Sequence, residues 1–228
     1  MRSEFVFEHD YNNILRRESA TFLAGRDGRV LNVACEYNLI PAFLNGLVRP
    51  ENVYGIEINK EIVKATPNIR YCNIDSDDMP FDAAWLDLIL SIWGIEHFAT
   101  DNFFRQSGRT LKKNGRIILL TPSILNPLFL FNKLTKGWAA KFYFKNLTDS
   151  QYQAHHTHYN FNSPLAIGRA AEKNGLKLVK VIYFGPSFYT KYFEFNKLLE
   201  SAVIAGDRLI TNPVLGYIKP YLICVIEK

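Results

Sequence analysis

The residues best suited to chemistry fall in four clusters along the first hundred positions, each following a short apolar run. Asn32 to Asn38 follow the first run, Glu57 the second, Asp75 to Asp78 the third and Ser91 to His97 the fourth. Glu57 stands about 20 residues beyond the first loop, where an acid closing a second strand accepts hydrogen bonds from both hydroxyls of a ribose. A glutamate at a strand end is also an ordinary solvated group, so Glu57 gains weight only in company. Asp75 and Asp77 likewise suit a turn as well as a ligand. Farther on, the imidazoles of His97, His155, His156 and His158 are of the type that takes a proton from a hydroxyl. The His-His-x-His run also has a metal-ligand pattern, but no carboxylate is placed beside it, and no metal site is predicted. His155 and His156 read as surface residues.

Clusters so spaced need a scaffold that gathers strand ends. RVLNVAC reads as a buried strand, LIPAFLNGL as a helix ending near Gly46, and NVYGIEI as a second strand. NKEIVKA follows as a short helix capped by Asn59, then IRYCNI, WLDLILSIWG, the helix FFRQSGRTLKK, and GRIILLTP stopped by Pro122. Before them, residues 9–24 carry a loose helical pattern closed by Gly25. Strands alternating with helices over about 120 residues predict an α/β fold with a parallel sheet covered on both faces. In such a sheet, ligands bind outside the carboxyl ends of the strands, where all four clusters fall. Residues 123–158 break the pattern and read as an inserted lid over a substrate. The pattern resumes with Ser163 capping PLAIGRAAEKNG, then LKLVKVIYFG, and a last strand YLICVIE.

A chain of 228 residues that is 48% hydrophobic can bury one core, so residues 1–228 are expected to form one domain. No run approaches the roughly 18 to 20 apolar residues of a membrane span, and the amino terminus lacks a secretory apolar region; a cytoplasmic location is expected. Cys35, Cys72 and Cys224 are odd in number and each lies in an apolar run, as buried free thiols do. Charge is uneven. Residues 1–122 carry 14 basic and 16 acidic side chains, and residues 123–228 carry 13 and 6, so the net +5 arises entirely in the second half. An anionic partner is expected there: phospholipid head groups at a membrane surface, a phosphorylated substrate, or nucleic acid. Nucleic acid is the least favoured, for lack of a recognisable module, and a solvated basic face with no partner is the plain alternative.

The succession VLNVAC, YGIEINKEIV, NIDSDDMPFDAAWLDLILSIWGIEHF and RTLKKNGRIILLTPS resembles the motifs of class I S-adenosylmethionine-dependent methyltransferases that act on small molecules, lipids and sugars. The resemblance covers residues 28–123 and continues faintly through HYNFNSPLAIGRAAEKNGLKLVKV. It implies a Rossmann-like, doubly wound, seven-stranded sheet whose last strand is antiparallel. It implies S-adenosylmethionine as cofactor, with Glu57 at the ribose, Asp75 at the adenine amino group, Ser76 and Met79 flanking the ring, and Ser91 and Trp93 facing the methionine. Glu96 and His97 would lie at the mouth of the substrate site, and His97 and His158 would be the catalytic bases. The departure is in the first loop. Where the family has an acid and three glycines, this chain has Asn32, Ala34, Glu36 and Asn38. Glycine serves there because the backbone turns with positive φ and comes close to the ligand. Two functions are therefore expected: methyl transfer to a small, sugar or lipid-linked acceptor, or a non-catalytic relative acting as a binding or scaffold subunit. A nicotinamide dehydrogenase is disfavoured because no G-x-G-x-x-G follows the first strand.

Overall fold

A computed structural model describes residues 1–6, 10–135, 138, 157–185, 197, 198, 201, 202, 205, 206 and 214–228. Eight strands form one sheet: β1 (Arg2–Phe5), β2 (Val30–Val33), β3 (Val53–Glu57), β4 (Ile69–Tyr71), β5 (Leu86–Ile92), β6 (Leu111–Pro122), β7 (Lys177–Phe184) and β8 (Tyr221–Glu227). Their order is β1-β7-β8-β6-β5-β2-β3-β4. β8 runs antiparallel to both neighbours, β6 and β7, and every other pairing is parallel. Among the described residues, the bounded helices are α1 (Tyr11–Leu23), α2 (Lys60–Ala65), α3 (Asn102–Thr110), α4 (Pro127–Leu134) and α5 (Pro164–Lys173).

The sheet is buried on both faces, and the period of two along each strand decides which core a side chain joins. On β6, Ile117 and Leu119 enter one cluster with Phe103, Phe104 and Ile167, while Ile118 and Leu120 enter the other with Leu15, Phe22 and Leu44. Side chains start the helices as the sequence predicts. The Asn59 carboxamide accepts from the Glu61 amide, and the Ser163 hydroxyl accepts from the Ala166 amide at 3.2 Å. The three cysteines are free and buried, and burial pushes their thiols up to about 12, 11 and 12.

Three expectations are corrected. The sheet has an eighth strand, β1, too short and polar to show in the sequence. It is held on β7 by Lys180, whose Nζ lies 2.8 Å from Glu4 and 2.9 Å from Glu18 of α1. The helix expected from LIPAFLNGL is only one 3-10 turn, Ala42–Leu44. Pro41 disfavours a helical Ile40, and Gly46 at φ 74° ends the turn, leaving too few residues to nucleate an α-helix. The Arg16 guanidinium then takes the Phe43 and Asn45 carbonyls at 3.1 and 2.9 Å. Finally, α3 stops at Thr110, and Leu111 to Lys113 already belong to β6, because fully buried Leu111 pairs with Leu86.

Candidate active site

The carboxyl ends of β2, β3 and β5, with the loop after β4, bring Asn32, Glu57, Asp75 and Ser91 to one edge of the sheet. The Glu57 carboxylate is 7% exposed and is engaged by backbone amides. Oε2 accepts from Glu36 at 3.1 Å, and Oε1 accepts from Ile58 at 2.9 Å and Asn59 at 3.1 Å. A carboxylate offers about four lone-pair sites. Three are taken, so Glu57 has room for one further donor.

The loop after β2 explains its missing glycines. Ala34 and Glu36 hold the left-handed conformation at φ 54° and 47°, and Asn38 does not. The Ala34 methyl faces Gly94, where an added Cβ would lie 3.0 Å from it and 2.9 Å from Ser91 Oγ. That methyl therefore fills the gap between β2 and the turn after β5. The Glu36 side chain is exposed. Asn32, buried where the family has an acid, donates its carboxamide to the carbonyls of Asn38 at 2.9 Å and Leu39 at 3.4 Å. A carboxylate at position 32 would face those carbonyls with no proton to give, so the acid-to-amide change and the altered loop belong together.

Asp75 binds the segment after β5 through one oxygen. Oδ1 accepts from the amides of Ala99 and Thr100 at 2.8 and 2.9 Å and from the Thr100 hydroxyl at 3.3 Å, which leaves Oδ2 open. Ser76 is exposed and its hydroxyl donates to Asp77. Met79, expected beside the ring, is instead 2% exposed within the core, where Thr110 lies against its sulfur. Ser91 is fully buried and its hydroxyl has no partner. Trp93 turns out of β5 at φ 59°, and Tyr11 of α1 and Tyr221 of β8 each stand edge-on to it, at 5.8 and 5.2 Å. Nothing in the spacing of these three aromatics announces that they meet.

Glu96, expected at the mouth of the substrate site, is a buried residue. It is 6% exposed in the 3-10 turn Ile95–His97, and burial pushes its carboxyl up to about 7. The Thr121 hydroxyl at the end of β6 donates to Glu96 Oε2 at 3.3 Å and accepts from the Asn162 carboxamide at 2.7 Å. Asn162 leads into α5, and its own Oδ1 has no partner. This network joins three elements distant in sequence, which sequence reasoning missed. The Glu96 carbonyl accepts from the amides of His158 and Tyr159, so the segment returning from the insert lies against the turn that carries His97. The structure thus brings residues 97 and 158 to neighbouring backbone. His155, His156 and most of the expected lid, residues 136, 137 and 139–156, lie outside the described residues.

Residues 31–119 match the family model of the methyltransferase domain. Among solved structures, the chain is similar to the YcgJ protein of Bacillus subtilis, at 15% identity over 96% of this chain and 98% of that one, with a TM-score of 0.57. The chain has the class I S-adenosylmethionine-dependent methyltransferase fold. A methyltransferase of Archaeoglobus fulgidus superposes with a TM-score of 0.58, at 15% identity over 96% of this chain and 93% of that one. The geranyl diphosphate C-methyltransferase of Streptomyces coelicolor, solved with Mg2+, geranyl diphosphate and S-adenosyl-L-homocysteine, gives 0.57 at 15% identity, over 94% and 80%. No curated protein sequence matches. The antiparallel β8 is where the sequence resemblance predicts it, whereas the first loop carries none of the expected glycines.

Proposed function

We propose that this methyltransferase domain moves a methyl group from S-adenosylmethionine to a small, sugar or lipid-linked acceptor. The observation that carries the reading is the convergence of Glu57, Asp75 and the His97 turn on one sheet edge within a methyltransferase domain. The cofactor fits this chain at its adenosine end. The remaining lone pair of Glu57 suits one ribose hydroxyl, and the open Oδ2 of Asp75 suits the adenine amino group, with exposed Ser76 beside it. Asn32 at the end of β2 and the loop of Ala34, Glu36 and Asn38 that it holds would approach the methionine part, with the buried Ser91 hydroxyl behind them. When bound, the cofactor supplies an already activated methyl group on a sulfonium.

The chain's own task is then positioning and proton removal. The His158 and Tyr159 amides on the Glu96 carbonyl fix the returning segment, and His97 or His158 takes the proton that the acceptor loses. Incubation with methyl-labelled S-adenosylmethionine and separate water-soluble and lipid extracts tests this. Label should enter one fraction, and His97→Ala or His158→Ala should lower incorporation about 100-fold or more, the scale of a lost acid–base group. Full incorporation with both histidines replaced would reject the assignment of the base.

One observation favours a second reading, a methyltransferase-like scaffold. Glu57 already satisfies three backbone amides, so its carboxylate stabilises the loop with no ligand present. In that case no labelled product forms, and the natural chain does not bind S-adenosylmethionine.

A further inference from the structure

We infer that α4 docks this domain on an anionic phospholipid surface. α4 follows β6, and its described contacts are with β8, the turn Gly216–Ile218 and the segment at Tyr159, whose carbonyl accepts from Lys133 at 3.2 Å. Its Asn126 cap is fully buried, accepts from the Leu128 amide at 3.0 Å and donates to the Ile218 carbonyl at 2.8 Å. Phe129 lies against Tyr221, and Asn132 donates to the Tyr159 hydroxyl at 2.8 Å. Phe129 and Asn132 are three apart and share one face of the helix, which settles where the other face points. Leu130, Phe131 and Leu134 are exposed there, Phe131 by 55% and Leu134 by 72%; Leu128 is exposed on the flank, and no residue of α4 is buried. Leu125 extends the apolar strip before the cap. Four large apolar side chains exposed on eight residues exceed the scattered single residues usual on a soluble surface.

Charge selects the occupant. Residues 123–145 contain Lys133, Lys136, Lys141 and Lys145 and no acidic residue, and residues 123–228 carry 13 basic against 6 acidic side chains. A short helix with leucine and phenylalanine on one side, set in a lysine-rich and aromatic segment, has the chemistry of an interfacial element on anionic lipid. A second copy of the chain would bring two lysine-containing, acid-free sequence segments together, which opposes self-pairing through this helix. The inference holds whether or not the domain transfers methyl groups.

Co-sedimentation of the full chain with vesicles of phosphatidylcholine, and of phosphatidylcholine with phosphatidylserine, tests it. Retention is expected on the anionic vesicles at low salt. It should fall at least about tenfold when salt rises to about half molar, where the Debye length is a few ångströms. Phe131→Asp with Leu134→Asp should lower retention about tenfold or more while leaving the urea unfolding midpoint unchanged, because both side chains are already exposed. Should the double variant fail to fold, Leu134→Ser alone should still lower retention severalfold. Absence of retention at low salt, or equal retention of a folded variant and the natural chain, overturns the inference. So does a dimer that the variant disperses while the natural chain ignores the vesicles.

Discussion

Glu96→Gln isolates the most unusual buried group. In the folded chain, burial holds the Glu96 carboxyl near 7, against 4.5 for an ordinary glutamate. The folded state therefore keeps a proton that the unfolded state releases, and the stability that this proton provides is complete below pH 4.5 and drains away as pH rises through 7. At 1.36 kcal/mol for each pKa unit, the whole loss is about 3 kcal/mol, most of it between pH 5 and pH 8.5. Glutamine mimics the protonated acid: its carbonyl still accepts from Thr121, and it never charges. Urea unfolding of both chains near pH 5 and near pH 8.5 separates this effect from all other titrations, which cancel in the difference. The variant should gain about 2 to 3 kcal/mol on the natural chain between the two conditions, whatever fixed offset the amide introduces. A difference that stays constant within about 0.5 kcal/mol would refute the reasoning, because an ordinary, hydrated carboxylate at position 96 gives no such change.

Other perturbations test how the rebuilt loop is held. Gly94→Ala pushes a methyl to 3.0 Å from the Ala34 methyl and 2.9 Å from Ser91 Oγ, and should cost about 1 to 3 kcal/mol. Adding Ala34→Gly should recover a substantial part of that loss in denaturant unfolding, and strictly additive effects would show that the two residues do not touch. Asn32→Asp restores the acid usual in the family but faces the carbonyls of Asn38 and Leu39 without a donor. It should lower stability by about 1 to 3 kcal/mol in the same assay, and a neutral result would contradict the pairing of Asn32 with the loop.

Much of the scaffold was legible because it rests on short-range pattern. Buried runs such as LILS and IILL can lie only inside a covered sheet, and Asn59 and Ser163 announce their helices through capping chemistry. The failures come from effects a pattern does not weigh. LIPAFLNGL has enough apolar residues for a helix, yet Pro41 and Gly46 leave too short a span, and Arg16, far away in α1, satisfies the turn instead. β1 shows no apolar run because its attachment comes from Glu4 and Lys180, an ion pair between positions more than 170 residues apart. Within the site, the acids that close strands could be placed by spacing, but their free valences could not. That Glu57 is largely consumed by amides, Asp75 half consumed and Glu96 buried beside Thr121 and Asn162 follows only from tertiary contacts. Met79 shows the same limit: its place in the motif suggests a ligand neighbour, and packing makes it core.

The most direct test of the account is titration calorimetry of the natural chain with S-adenosylmethionine and its demethylated product, beside Glu36→Gly. With one lone pair of Glu57 and one oxygen of Asp75 available, the natural chain should bind both ligands in the micromolar range. Glycine at position 36, where φ is 47°, should relieve about 1 kcal/mol of backbone strain and not weaken that binding. No heat from the natural chain with either ligand, and binding recovered in Glu36→Gly, would contradict the claim that this loop still admits the cofactor.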